Sequence, residues 1–148
     1  MDFEDYGVRV ASSPTGLGVF ASRPFSRRQV IGPILGEVID DPHYGSNFCM
    51  ELGGSLSLEP AWPFRLINHS CQPNCQLLTL EPSSENGVSR APEAWLEVLA
   101  DIEPGEQLTI DYGWPAEVAI PCNCGRPACR GWIVAAEDRK LIAADGET

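Results

Sequence analysis

Three of the six cysteines fall in one short run, Cys122-Asn123-Cys124-Gly125-Arg126-Pro127-Ala128-Cys129. Thiolate sulfur is a zinc ligand, and Gly125 and Pro127 let the chain fold back so that the sulfurs converge. A structural zinc takes four ligands in a tetrahedron, so this run supplies three and the fourth lies elsewhere. Cys49, Cys71, Cys75, His43 and His69 are the candidates. Unlinked reduced thiols are the plainer alternative, but so dense a cluster would be a redox liability.

Three other strings carry side chains suited to chemistry. In Arg65-Leu66-Ile67-Asn68-His69-Ser70-Cys71-Gln72-Pro73-Asn74-Cys75 a short apolar stretch runs into turn-forming polar residues. Their side chains offer donors and acceptors beside the backbone, as a ligand-binding turn or a purely structural Asx turn would. In Gly105-Glu106-Gln107-Leu108-Thr109-Ile110-Asp111-Tyr112-Gly113-Trp114 a strand ends in Asp-Tyr-Gly. Tyr112 is either a packed aromatic with a satisfied hydroxyl or a catalytic hydroxyl. In Thr15-Gly16-Leu17-Gly18-Val19-Phe20 two glycines let backbone approach a ligand closely, although a lone Gly-x-Gly is more often only a turn.

These residues need a scaffold. The 148 residues suit one domain. Hydrophobic residues at 43% are enough for a core. Gly 14 and Pro 13 exceed the roughly 12% average share of these two residues and argue for a turn-rich fold over a helix bundle. Strand-like pieces recur at 8–11, 19–21, 30–31, 34–39, 48–52, 56–58, 75–80, 95–100 and 107–110, bounded by Gly, Pro, Ser or Asn. Residues 62–68 read as one or two helical turns, and 133–144 as the longest helix. Residues 81–94, with two Pro, three Ser and Asn86-Gly87, read as a flexible hairpin loop. No fixed repeat and no linker divide the chain, and 121–132 reads as a small appendix.

The net charge of −11 repels phosphate. It argues against direct nucleic-acid binding and against an anionic membrane, and it favours a Lys/Arg-rich partner. No apolar run approaches the roughly 20 residues of a membrane span. Met1-Asp2-Phe3-Glu4-Asp5 is acidic, unlike a signal peptide. The expected location is intracellular, with cysteines as thiols or metal ligands.

Taken in order, the strings resemble the SET-domain family of protein-lysine methyltransferases over most of the chain. Residues 16–23 resemble its opening glycine motif. Ile34-Leu35-Gly36-Glu37-Val38-Ile39-Asp40 resembles its next strand, with Ile34 in a tyrosine's place. Residues 65–75 and 100–113 are similar to its two diagnostic strings, and Cys122-x-Cys124-x4-Cys129-Arg130-Gly131 to its post-SET appendix.

The resemblance implies a mainly β fold of several small twisted sheets around a knot-like core, with a zinc-stapled C-terminal segment. It places the SET domain at 6–114, the post-SET segment at 120–134 and a tail at 135–148. It implies zinc on Cys71, Cys122, Cys124 and Cys129, leaving Cys49 and Cys75 as buried thiols. It implies S-adenosylmethionine against Gly16, Leu17 and Gly18, lined by Arg65, Asn68 and His69, with Trp132 over the adenine and Tyr44 in contact. His43 is expected in an exposed loop.

The implied reaction is methyl transfer to a lysine amine, with Tyr112 as the catalytic hydroxyl and Asp111 structural. A basic protein or peptide is the implied partner, a histone tail by default. The location would be nuclear or chromatin-associated in a eukaryote and cytoplasmic otherwise. Ile34 and Ile110 stand where the family often has Tyr or Phe, and Phe48 where it often has Tyr. A channel with fewer hydroxyls would alter turnover or the number of methyls added. The alternative is a catalytically weak SET module that binds a protein partner.

Overall fold

Asn68 and His69 run alongside the strand that ends at Ile110, in parallel, and this pairing joins chain segments some forty residues apart. The computed structural model describes every residue except 1, 47, 81, 82, 86, 91, 115 and 142–148. Strands between frequent Gly and Pro are short, and the described residues form five small sheets.

The first sheet has the order β1 (Asp2–Phe3), β2 (Val8–Ser13), β3 (Gly16–Ala21), β13 (Gln107–Ile110), β8 (Asn68–His69). β2 and β3 form an antiparallel hairpin from Val8↔Ala21 to Ser13↔Gly16. Gly16 sits at φ +114, a conformation side-chain-bearing residues rarely adopt. β13 is antiparallel to β3 and parallel to β8, with Thr109 opposite Asn68 and Ile110 opposite His69.

The second sheet is β4 (Val30–Pro33), β12 (Glu93–Val98), β9 (Cys75–Leu80). Ala94, Leu96 and Val98 alternate inward along β12, the period of two that a half-buried strand requires. The third is β5 (Gly36–Asp40), β7 (Leu56–Pro60), β6 (Met50–Gly53). A Cβ on Gly36 would lie 2.2 Å from the Glu59 carbonyl oxygen, so only glycine lets β5 and β7 approach this closely. Two hairpins complete the set, β10 (Ser83–Glu85) with β11 (Val88–Arg90) and β14 (Ile120–Pro121) with β15 (Trp132–Ile133). Val8, Val19, Phe64, Leu96, Ile102 and Leu108 are buried in one shared core.

Buried Asn74 locks the centre. Its Nδ2 donates to the Gln107 carbonyl at 2.8 Å, and its Oδ1 accepts the Thr109 N–H at 2.8 Å. The chain leaving β8 is thereby clamped onto β13 before it turns into β9.

Several sequence expectations change. Residues 62–68 contain only the 3-10 turn Phe64–Leu66, because Ile67 is extended (ψ 128°) to deliver Asn68 into the parallel pairing. Residues 133–144 begin as strand: Ile133 pairs with Ile120, and the Ala135 N–H is held by the Trp114 carbonyl at 2.7 Å. A 3-10 turn follows at Ala136–Asp138 and runs into helix at 139–141, so part of the expected helix is present, and 142–144 lie outside the described residues. The hairpin expected at 81–94 is present as β10 and β11, which pair in register with Gly87 at φ +77 between them. The expected strand at 34–39 starts at Gly36, and the one at 48–52 starts at Met50.

Asn74→Ala strands a carbonyl and an N–H on β13, and its expected cost is about 2 kcal/mol or more in chemical denaturation of the zinc-loaded chain. A cost below about 0.5 kcal/mol, the range of ordinary surface substitutions, would contradict the clamp.

Candidate functional site

β13 pairs with β3 only at Val19 and Phe20. Ahead of that pairing, the edge of Gly16-Leu17-Gly18 faces the Asn68 side chain instead of a strand. Asn68 Nδ2 lies 3.1 Å from the Leu17 carbonyl, 2.8 Å from Gln107 Oε1 and 3.4 Å from Ser13 Oγ. A Cβ on Gly18 would stand 2.4 Å from Gln107 Oε1 and 3.1 Å from Asn68 Nδ2. Gly18 therefore makes room for the Gln107 and Asn68 side chains. Gly16 has nothing within 4 Å of its Cβ position, and Leu17 is 47% exposed. The open backbone a ligand could lie against is thus that of Gly16 and Leu17.

His69 and Tyr112 meet at the other end of β8. The Tyr112 N–H donates to His69 Nδ1 at 3.0 Å, so the proton of the neutral ring sits on Nε2, 3.4 Å from Cys71 Sγ. Burial, assisted by Arg130 and opposed by Asp111, holds the His69 pKa below its ordinary value. The Tyr112 hydroxyl donates to the Ile67 carbonyl at 2.6 Å, and burial pushes its pKa up to about 12. The hydroxyl therefore stays protonated and keeps lone pairs free to accept. Trp114, which the sequence did not single out, lies with its ring centroid 5.2 Å from that of Tyr112.

The four expected cysteines converge. The sulfurs of Cys71, Cys122, Cys124 and Cys129 all lie within 4.8 Å of one another, and those of Cys71 and Cys122 are 3.8 Å apart. A tetrahedron with Zn–S of about 2.3 Å has sulfurs about 3.8 Å apart, so the set fits zinc. Backbone N–H groups of Arg130 and Gly131 point at Cys71 Sγ (3.3 Å) and Cys129 Sγ (3.4 Å), as thiolates favour. Burial raises the Cys71 and Cys122 thiols. Burial also opposes ionisation of Cys124, but N–H groups of Cys71 and Arg126 and the neighbouring thiols lower it to about 6. Such a cluster ionises fully only around a cation. Cys75 is the expected buried thiol, pushed up to about 12 by burial. Cys49 is only half-buried, because it sits in the connection between β5 and β6, where its sulfur accepts the Ser46 N–H.

Tyr44 and Arg65 meet at Glu59. Glu59 accepts from the Tyr44 hydroxyl (2.7 Å), from Ser46 Oγ (2.5 Å) and from Arg65 Nη1 (2.6 Å). Arg65 also lies 4.1 Å above the ring of Phe48, which is exposed. Among the described residues no hydrogen bond, ion pair or ring contact joins this cluster to Asn68. Ile34 and Ile110 are both buried in the core. Trp132 is 37% exposed on β15, and His43 is exposed as expected. Glu59, Gln107 and Arg130 escaped the sequence reading, since a lone polar residue inside a strand or loop carries no spacing signal.

The geometry is that of a β domain of small sheets whose C-terminal segment is drawn in by four converging cysteines. The SET domain family model matches residues 16–113, and the chain belongs to the SET domain family. Drosophila melanogaster histone-lysine N-methyltransferase ash1 is 32% identical over 143 residues, 84% of this chain and 6% of ash1. The H3 lysine-4 specific histone-lysine N-methyltransferase of Schizosaccharomyces pombe is 40% identical over 70 residues, 47% of this chain and 7% of that one. The chain spans less than a tenth of these two relatives. The structure of KRYPTONITE in complex with mCHH DNA, H3(1-15) peptide and SAH has a similar fold (TM-score 0.70, 20% identity), covering 85% of this chain and 29% of that one.

The purified chain is expected to carry about one zinc, lost in Cys122→Ser and kept in Cys49→Ser when metal content is measured. Equal metal content in the two variants would remove the ligand assignment.

Proposed function

We propose that this chain transfers a methyl group from S-adenosylmethionine to the side-chain amine of a lysine in a basic protein segment, with a histone tail as the default substrate. The observation that carries this reading is the convergence of Asn68, His69 and Tyr112 on the β8–β13 pair beside the open edge of Gly16 and Leu17. The names of the relatives support the reaction class, and the net charge of −11 supports a cationic substrate. The same charge supports the expectation that this chain does not bind nucleic acid directly. The DNA in the KRYPTONITE complex belongs to a protein of which this chain matches 29%. Nuclear or chromatin association in a eukaryote follows from the same reading. Among the described residues no helix is long and apolar enough to cross a membrane.

In this reading Gly16, Leu17, Gly18, Asn68 and His69 form the inner wall of the cofactor groove, and Tyr44, Arg65 and Trp132 its rim. The cofactor supplies an electrophilic methyl on a sulfonium. The chain supplies position and electrostatics. A lysine ammonium has no lone pair, so its proton must leave before attack. An apolar site and a nearby positive charge both favour the neutral amine. Tyr112 is not the base, because its own proton is held up to about 12. Its hydroxyl spends its proton on Ile67 O, so it accepts an N–H from the amine and aims the nitrogen lone pair. The four cysteines would hold a structural zinc that fixes the C-terminal segment against β8.

Tyr112→Phe should keep the fold and cofactor affinity and lose on the order of 10²-fold or more in turnover. Near wild-type turnover would remove Tyr112 from catalysis. A wild-type chain that binds S-adenosylmethionine in calorimetry but methylates nothing in a basic peptide library would favour the binding-module reading. Ile110→Tyr is expected to shift products towards fewer methyls by mass spectrometry, since the wild-type side chain has no hydroxyl beside the amine. An unchanged product series from a wild type that stops at one methyl would contradict this.

A further inference from the structure

Five residues form a ring, closed by polar contacts and by the Asp111–Tyr112 peptide bond, that begins and ends on one sulfur. His69 Nε2 lies 3.4 Å from Cys71 Sγ, and His69 Nδ1 accepts the Tyr112 N–H at 3.0 Å. Tyr112 follows Asp111, whose carboxylate takes two N–H donors from the Arg130 guanidinium, Nη1 to Oδ1 at 3.1 Å and Nη2 to Oδ2 at 2.6 Å. The Arg130 backbone N–H returns to Cys71 Sγ at 3.3 Å. Arg130 Nη1 also donates to the Val134 carbonyl at 2.7 Å, and Val134 is fully buried. Asp111 Oδ1 in turn accepts the Gly113 N–H at 3.0 Å, which fixes the turn on the far side of Tyr112.

We infer that Arg130 is a positioning residue for the reaction: its fork on Asp111 ties the C-terminal segment to the turn that carries Tyr112. This rests on the methyl-transfer reading for its kinetic consequence, but not for its structural one. β13 ends at Ile110, so no strand partner holds residues 111–113. Their position comes from His69 and the Ile67 carbonyl, which hold Tyr112 by its N–H and its hydroxyl, and from the Arg130–Asp111 pair on the other side. A bidentate guanidinium–carboxylate pair fixes orientation as well as distance, which a single lysine ammonium does not. The side chain of Arg130 is mostly buried, and burial opposes the charge of Asp111. The Arg130 hydrogen bonds and the Gly113 N–H nevertheless hold Asp111 below the usual carboxylate range.

The test uses the zinc-loaded full chain with Asp111→Asn, Arg130→Gln and the double variant. Amide exchange of Tyr112 and Leu108 is followed by NMR, together with kcat and KM for S-adenosylmethionine. Each single variant should keep its zinc and the Leu108 protection while the Tyr112 amide exchanges about tenfold faster or more. kcat should fall about 10- to 100-fold with KM changed less than about twofold, and the double variant should be no worse than the poorer single one. Arg130→Lys should recover only part of the Tyr112 protection. Tyr112 exchange within about twofold of wild type in Asp111→Asn would overturn the proposal, as would additive losses in the double variant. Should Arg130→Gln shed its metal, Asp111→Asn decides alone, since that side chain touches no cysteine. A wild type without methyl transfer would count against the functional reading, while the Tyr112 exchange would still judge the clamp.

Discussion

The parallel pairing of Asn68–His69 with Thr109–Ile110 is the constraint on which the rest of the structure depends. Parallel strands cannot be joined by a tight turn, so the chain between them must leave and return. Here it does so through β9, the β10–β11 hairpin and β12, of which β9 and β12 are two of the three strands of the second sheet. Two polar strings distant in sequence thereby become neighbours. Asn68 then reaches the Gly16-Leu17-Gly18 edge from one end of β8, and His69 reaches Tyr112 from the other. A two-residue strand makes few backbone hydrogen bonds, so side chains complete the join. Asn74 supplies two of these hydrogen bonds to β13 and is itself buried.

Cys71 lies two residues beyond this strand, so the metal-binding set is anchored in the same place. The C-terminal cysteines cannot make a core of their own from so few apolar residues. Their segment is held by sulfur convergence, by Arg130 on Asp111 and by the Ala135–Trp114 hydrogen bond. Metal-dependent order in this segment would therefore be felt at the Asp111–Gly113 turn, not only at the chain terminus.

Much of this was legible in the sequence, for identifiable reasons. The strands Cys75–Leu80 and Gln107–Ile110 were read with the bounds they have, because β-branched and apolar runs end there at turn residues. The four-cysteine set was legible only through family resemblance, since spacing alone left the fourth ligand open. Asn68–His69 was not legible as strand: a preceding apolar stretch looks helical, and only the partner strand makes Ile67 extended. Ile133 was read as helix for the same reason, its strand partner Ile120 being invisible locally. Gly18 was read for close approach, and Gln107 and Asn68 are the side chains that come close to it. Glu59 as the meeting point of Tyr44, Ser46 and Arg65 depends on three separate elements and leaves no trace in spacing.

The central claim is that the β8–β13 pairing makes one site of the glycine edge, Asn68-His69 and Tyr112. Titration of the zinc-loaded chain with S-adenosylhomocysteine, followed through its backbone amide NMR signals, tests it most directly. Saturable shifts that move together at Gly16, Leu17, Gly18, Asn68, His69 and Tyr112, with one shared affinity, are expected. Shifts absent from these residues, or confined to a different face of the chain, would contradict it.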